Sequence, residues 1–337
     1  MKNILVTGGA GFIGSNYINH ILKEREDYFI VNLDKLTYAG NLENLKDSEN
    51  NKRYQFVKGD IQNSELVDYI FKKYAIKYVV NFAAESHVDR SILGSGIFFQ
   101  TNVIGTNVLL EASRRFEVEK FLQVSTDEVY GSLGPEGLFT ETTPLSPNSP
   151  YSSSKASSDM MAMSFYHTFG LPVVITRCSN NYGPLQFPEK LIPLMILNCM
   201  NNKKLPVYGD GLNVRDWIYV IDHNKAIDLV LNKGRVGEVY NIGASQEMKN
   251  IDIVKLVLKN LNKTEELIEY VKDRPGHDRR YAIDSTKIRT ELGWEPCYQF
   301  DEAIVQTIEW YKSNKTWWER IISGEYQKYY ELQYVNR

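Results

Sequence analysis

Two carboxylates, Asp127 and Glu128, stand side by side in "VSTDEVYG", directly after an apolar run, "KFLQVS", that reads as a buried strand. Successive residues of a regular strand face opposite sides. A strand continuing through both would therefore drive one acid into the protein. Neighbouring acids can also hold different protonation states, because ionising both costs repulsion, and such a pair offers a proton donor and a proton acceptor at one pH. Elimination of a hydroxyl from a carbon two positions from a ketone asks for that pair: one group removes the acidified carbon proton, the other protonates the departing oxygen. For both to meet one substrate, the strand must end at Thr126 and a turn must follow.

The chain begins with a strand-like run that passes straight into "TGGAGFIG" and a helix. Gly8, Gly11 and Gly14 recur at three-residue intervals, and Gly9, Gly11 and Gly14 satisfy GxGxxG. Between a first strand and a first helix, such glycines permit a tight turn, admit a pyrophosphate to the backbone N–H groups and let the helix pack closely on the sheet. Asp34 ends the second apparent strand 20 residues after Gly14, placed to accept hydrogen bonds from an adenosine ribose and to repel a 2′-phosphate. NAD is expected rather than NADP. "GDI", with Asp60 and Ile61 after the third strand, suits a position beside the adenine, although alone it reads as a strand-end turn.

A second reactive pair, Tyr151 and Lys155, lies in "SPYSSSKASSDMMAMSFYHTFG" at i and i+4 of a segment helical from about Tyr151. Both project from one face. A phenol is a poor base at neutral pH, and lowering its pKa by about three units takes roughly 4 kcal/mol. An ammonium one turn away and a nicotinamide cation supply the right charge. The "MMAM" run, Met160 to Met163, reads as core or dimer-interface packing.

The elements that must position these groups alternate through the first half. "NILVTG", "YFIVNLD", "YQFVKGD", "KYVVNFAA", "KFLQVST" and "LPVVITR" read as strands, with helical stretches such as "SELVDYIFKKY" and "TNVIGTNVLLEASRRF" between them. Near-continuous apolar strands separated by helices require a parallel sheet covered on both faces. The fold class is α/β, a Rossmann-type doubly wound parallel sheet with a smaller mixed α/β substrate-binding lobe. The dinucleotide-binding part is expected over 1–180 plus about 217–245, the smaller lobe over 181–216 plus about 246–330. "LPVYGDG", a strand "RDWIYV" and a helix "DHNKAIDLVLN" follow the looser stretch after Arg177, and an aromatic-rich helical tail, "WYKSNKTWWERIISGEYQKYYELQY", ends the chain.

Composition excludes several classes. The 337 residues carry 39 Lys plus Arg against 42 Asp plus Glu, a net charge of −3, so nothing draws the whole molecule to nucleic acid or anionic lipid. Three widely spaced cysteines, Cys178, Cys199 and Cys297, give neither a disulfide framework nor a zinc pattern. No apolar run of about 18 residues is present. A cytoplasmic protein that binds no membrane is expected. His87 and Asp89 in "ESHVDRS" stand at i and i+2, but no further His or Cys supports a metal, and hydrogen bonding that shapes a loop is the better reading. His20, His167 and His223 read as helix-surface or packing residues.

With TGxxGFIG and YxxxK both present, the chain resembles, over essentially its whole length, the extended short-chain dehydrogenase/reductase family, which modifies nucleotide sugars. "STDEVYG", "AAESHVDRS" and "DRPGHDRRYAID" look like the branch of that family that dehydrates nucleotide hexoses at C4 to C6. The resemblance implies NAD as cofactor, dTDP-glucose as substrate and a homodimer built on "FFQTNVIGTNVLLEASRR" and "SSSKASSDMMAMSFYHTF". It implies Tyr151 as base at the C4 hydroxyl with Lys155 holding the nicotinamide ribose, Thr126 as the hydroxyl touching the oxygen being oxidised, Glu128 as base at C5 and Asp127 as acid at the C6 oxygen. It also implies cofactor contacts from Gly8, Gly11, Phe12, Ile13, Gly14, Asp34, Lys35, Thr37, Asp60, Ile61, Ala83, Ala84, Ser86, Thr101 and Asn181. Substrate contacts follow at Ser86, Thr126, Asn180, Lys190, Leu191, Pro206, Val207, Tyr208, Arg215, Asn250, Arg274 and His277. Arg215 and Arg274 are cations suited to a diphosphate, and Tyr208 could stack on a pyrimidine. A UDP-hexose dehydratase, or a nucleotide-sugar 4-epimerase or decarboxylase, would share the glycines and YxxxK. The paired acids are what favour dehydration.

Overall fold

The computed structural model describes residues 1–322; the part of the expected helical tail from 323 on lies outside the described residues. Twelve strands occur among them: β1 Lys2–Thr7, β2 Tyr28–Asp34, β3 Tyr54–Lys58, β4 Tyr78–Asn81, β5 Lys120–Thr126, β6 Val173–Cys178, β7 Asn180–Tyr182, β8 Leu205–Tyr208, β9 Val214–Tyr219, β10 Val239–Ile242, β11 Glu247–Lys249 and β12 Ile268–Val271. The main sheet has seven strands in the order β10-β6-β5-β4-β1-β2-β3, every neighbouring pair parallel. Apart from the edge strand β3, which is only partly covered, its strands are largely buried because both faces carry helices, which is why most of the runs read from the sequence are near-continuously apolar. Ile4, Val6, Ile30, Val80, Leu122 and Val174 face one layer. Leu5, Val31, Val79, Phe121, Val173 and Ile175 face the other.

The strand order reverses between β1 and β4, so the connections leaving their carboxyl ends part and open a crevice, the position where this architecture takes ligands. Gly8 follows β1 and Ala83 follows β4, and a Cβ on Gly8 would lie 2.7 Å from Ala83 backbone atoms. Gly8 also sits at φ +67°, the left-handed region that a glycine enters without steric cost. One helical reading needs correction. "TNVIGTNVLLEASRRF" is not one regular α-helix: a π-helical run, Gln100–Gly105, precedes the α-helix Thr106–Arg115. Gly105 lies against Ile61, whose Cδ1 would be 2.5 Å from an added Cβ.

A second core gathers the rest. The helices Leu191–Met200, Asn250–Asn260 and Phe300–Ser313 pack around Trp217, Tyr182 and Tyr311. Two small sheets edge this lobe, β11-β9-β7 and β12-β8. The helix Lys315–Ile321 ties it back to the first, through the Trp317 indole N–H donating to Asn44 at 2.8 Å. No helix among the described residues is long and apolar enough to cross a membrane.

Candidate active site

β5 ends at Thr126, as the two acids require. Thr126 is extended (φ −138°, ψ 154°), and its hydroxyl caps a 3-10 turn, Asp127–Tyr130, by accepting from the Glu128 N–H at 3.3 Å. Gly131 closes the turn at φ +89°. A turn in place of another strand residue brings both carboxylates to the same end of the sheet.

The helix Pro150–Phe169 delivers the tyrosine and lysine. Ser149 begins it with a reciprocal capping box to Ser152, and Pro150 occupies the first turn, where its missing N–H costs no hydrogen bond. Tyr151 and Lys155 are therefore one turn apart at the end facing β5, both buried. The Lys155 ammonium donates to the Val124 carbonyl at 2.8 Å.

The electrostatics separate the acids. Burial raises the Asp127 carboxyl well above its ordinary pKa, and the charges of Glu128 and Asp216 push the same way. Asp127 is 2% exposed, its Oδ1 accepts from the Thr126 hydroxyl at 3.3 Å, and its Oδ2 has no hydrogen-bond partner in the protein. Burial also raises Glu128, but three cations, Arg274, Lys190 and Arg215, pull it back. The neighbouring charges thus add to the effect of burial at Asp127 and oppose it at Glu128.

The tyrosine differs from expectation. Burial, then the Glu128 charge, raises the Tyr151 phenol well above its ordinary pKa, and the group that draws it down by side-chain hydrogen bonding is the Thr126 hydroxyl. The Lys155 ammonium is engaged by the Val124 carbonyl, and burial lowers its own pKa.

Around these groups lies a cavity of about 300 Å³, lined by every residue expected to touch the cofactor, from Gly8 and Gly11 through Asp34, Thr101 and Asn181 to Lys155. The cradle fits a dinucleotide. A Cβ on Gly14 would lie 2.5 Å from the Gly8 carbonyl oxygen and 2.8 Å from Gly9 Cα, so only backbone can lie there. Asp34 holds the turn by accepting from the N–H groups of Ala10 (2.9 Å) and Leu36 (2.7 Å), and Lys35 pairs with Asp60 at 2.7 Å.

A second cavity, of about 150 Å³, adjoins it and shares Ser86, Glu128, Asn180, Glu189 and Lys190 with the first. It is also lined by Leu191, Pro206, Val207, Tyr208, Arg215, Asn250, Arg274 and His277. All the expected substrate residues therefore line this cavity, apart from Thr126, which lines the first. Arg215 lies over the Tyr281 ring, 4.3 Å from its centroid, and donates to the Asp278 carbonyl at 2.8 Å. Arg274 pairs with Asp89 at 3.5 Å, and Tyr208 donates to the same carboxylate at 3.1 Å. His87 is buried with its Nε2 facing the Glu189 carbonyl at 3.5 Å, and among the described residues no cluster suits a metal. His223 is buried, its Nδ1 2.8 Å from Asn181 Oδ1.

Sequence reasoning missed Cys178, Ser125 and Glu189 as lining residues, and Asp216 as a charge acting on Asp127. "SNNYGP" follows Cys178 directly, which was the available signal. Nothing local marks Asp216, which reaches the site only by the packing of β9 on β7.

The family model described as GDP-mannose 4,6 dehydratase matches residues 5–307. The dTDP-glucose 4,6-dehydratase of Xanthomonas campestris pv. campestris strain B100 is 53% identical over 97% of this chain and 98% of that protein. Among solved structures, the dTDP-glucose 4,6-dehydratase of Bacillus anthracis in complex with NAD is 55% identical, with a TM-score of 0.90, covering 95% of this chain and 100% of that one. The dTDP-glucose 4,6-dehydratase of Streptomyces venezuelae, also with NAD bound, is 46% identical with a TM-score of 0.92, covering 95% and 99%.

Proposed function

The chain belongs to the GDP-mannose 4,6 dehydratase family, and on that premise we propose that it is an enzyme converting dTDP-glucose to dTDP-4-dehydro-6-deoxyglucose and water, with NAD as its cofactor. The observation that carries this reading is the pair Asp127 and Glu128, brought together by one turn, both raised by burial but with acids adding to the shift at Asp127 and cations opposing it at Glu128. When bound, NAD accepts a hydride from the sugar and returns it within the same cycle.

The residues do the rest. The glycine turn and Asp34 hold the dinucleotide, and Lys155 stands beside Tyr151 on the face that meets it. Tyr151 takes the C4 hydroxyl proton, with Thr126 beside that oxygen. Oxidation at C4 makes the C5 proton acidic; Glu128 removes it, and the three cations that favour its carboxylate support a base in that role. Asp127 protonates the C6 oxygen as it leaves, and the burial that raises its pKa supports an acid there. Arg215, Arg274 and Lys190 offer the sugar diphosphate positive charge in a protein of net charge −3.

Residues 1–180 with about 217–245 form the NAD-binding part in this reading, and 181–216 with about 246–330 the sugar-nucleotide lobe, of which 323–330 lie outside the described residues. The enzyme works as a cytoplasmic homodimer. Incubation with dTDP-glucose in D2O, without added reductant, tests the reaction. A 4-keto-6-deoxy product bearing deuterium at C5, with no net reduction of NAD, is expected; unchanged sugar or simple epimerisation would overturn it.

A further inference from the structure

The cations that line the second cavity are held in two different ways. Arg215 donates to the carbonyls of Val214 at 2.7 Å and Asp278 at 2.8 Å, and Lys190 donates to the Ser86 carbonyl at 2.9 Å. Neutral carbonyls fix the direction of these side chains without cancelling their charge. Arg274 instead faces a carboxylate. Its Nη1 lies 3.5 Å from Asp89 Oδ1, well beyond the roughly 2.7–2.9 Å of a charge-assisted hydrogen bond. Arg274 Nε and that same carboxylate oxygen are both buried without a hydrogen bond. A guanidinium carries five N–H donors, so this loose pair orients Arg274 and leaves donors over for a ligand.

The other oxygen of Asp89 is engaged as well. Tyr208, at the end of β8, donates its hydroxyl to Asp89 Oδ2 at 3.1 Å. Asp89 sits in the first turn of the helix Val88–Leu93, is 5% exposed and lines the cavity itself. One carboxylate therefore holds two side chains from parts of the chain 66 residues apart, the Tyr208 expected at the pyrimidine and the Arg274 expected at the diphosphate. A packed apolar residue would fill the same space without the cost of desolvating a charge. The charge points to a task in the cavity.

We propose that Asp89 is a positioning residue for the nucleotide, fixing Arg274 and Tyr208 relative to each other before the ligand arrives. Arg274 is held toward the cavity, so its spare N–H groups meet the diphosphate oxygens without a search among rotamers, and its contact with Asp89 persists. The same carboxylate sets the Tyr208 ring, so base and diphosphate are met at one separation. Asp89 acts through these two side chains and touches no reacting atom. This inference rests on the nucleotide-sugar reading of the second cavity.

The test is a pair of mutant cycles read by titration calorimetry of the NAD-loaded enzyme with dTDP, alongside KM and kcat for dTDP-glucose. Asp89→Asn leaves an oxygen for the Tyr208 hydroxyl but takes the charge away from Arg274. It should raise the Kd for dTDP and the KM roughly two- to tenfold, the cost of ordering one long side chain on binding, and lower kcat by less than KM rises. In an Arg274→Met background the same substitution should raise the Kd no further, because the side chain it positions is gone. Asp89→Leu also releases Tyr208, so it should bind dTDP more weakly than Asp89→Asn, and adding Tyr208→Phe to it should change nothing more. Bound NAD per chain checks each variant for folding, since Asp89 does not line the first cavity; if Asp89→Leu fails that check, the asparagine cycle decides alone. An Asp89→Asn enzyme that binds dTDP as well as the native one or better, or that loses affinity equally with and without Arg274, would overturn the positioning role. A native enzyme that does not bind dTDP would instead sink the nucleotide-sugar reading itself.

Discussion

At the scale of single residues, Asp127 and Glu128 show how adjacent side chains of similar chemistry acquire different tasks. Both are raised by burial, but Glu128 faces Arg274, Lys190 and Arg215 whereas Asp127 faces Glu128 and Asp216 with Arg215 opposing them. If Asp127 is the acid for water loss, Asp127→Asn should lower kcat by roughly 10²–10⁴-fold while sparing C4 oxidation. Stopped-flow absorbance of the reduced cofactor should then rise transiently above that of the wild type; equal slowing of both steps would contradict separate roles. The same substitution has a stability signature. Unfolded Asp127 ionises near pH 3.9, while the folded protein holds its proton to a higher pH. Its contribution to stability is therefore complete below about pH 3.9 and is lost as pH rises toward the native pKa, because folding must then take up a proton. Asparagine has no proton to take up. Calorimetric scans should show the Tm of Asp127→Asn gaining on the wild type as pH rises above about 4; a gap that narrows as pH rises would show that the carboxyl pKa is not raised by folding.

At the scale of elements, the helix Pro150–Phe169 has to hold its first turn rigidly against the end of β5. Three ties do so: the Ser149 capping box, the Lys155 ammonium on the Val124 carbonyl, and a buried ion pair between Asp159 and Arg177 of β6 at 2.9 Å. Arg177 also donates to the Tyr130 hydroxyl at 2.9 Å, so this pair braces the 3-10 turn that carries the acids. Asp159→Ala would leave a buried guanidinium without its anion and should cost about 3–5 kcal/mol in urea unfolding. Asp159→Leu combined with Arg177→Met should recover most of that loss, since matched apolar replacements remove both charges; a single variant as stable as the wild type would show the pair to be idle. The site was legible to the extent that its spacing is local. YxxxK, the glycines and the paired acids each lie within one element or its end, and their chemistry follows from the residue types. The partner of Lys155 was not legible, because it is a carbonyl 31 residues earlier on another element. Asp216 and the Asp159–Arg177 pair escaped for the same reason: their contacts come from strand order, which side-chain periodicity does not encode.

At the scale of the whole molecule, the first half could be read as a parallel sheet because strands buried on both faces leave unbroken apolar runs. The second half resisted reading. β7 and β11 have three residues each, β8 and β12 four, too short for a period to emerge, and their lobe is held by aromatic packing around Trp217 and Tyr182. The "MMAM" run proved divided. Met161 and Met163 pack on the core, while Met160 is 58% exposed. It belongs to a helix that also packs against the segments carrying exposed Leu93, Ile97, Phe99 and Ile104. Large side chains of this kind gathered on neighbouring helices suit an interface better than solvent. The proposed homodimer would cover them, and a two-fold axis would set the same helices of two copies together. Light scattering behind a sizing column should therefore give twice the chain mass for the wild type. Ile97→Glu combined with Met160→Glu should give the single-chain mass, because each copy would bring its new charges against its partner's apolar surface. Circular dichroism matching the wild type would separate lost association from lost folding. A wild type that elutes as one chain at micromolar concentration, or a double variant that still pairs, would place the dimer contact elsewhere or remove it.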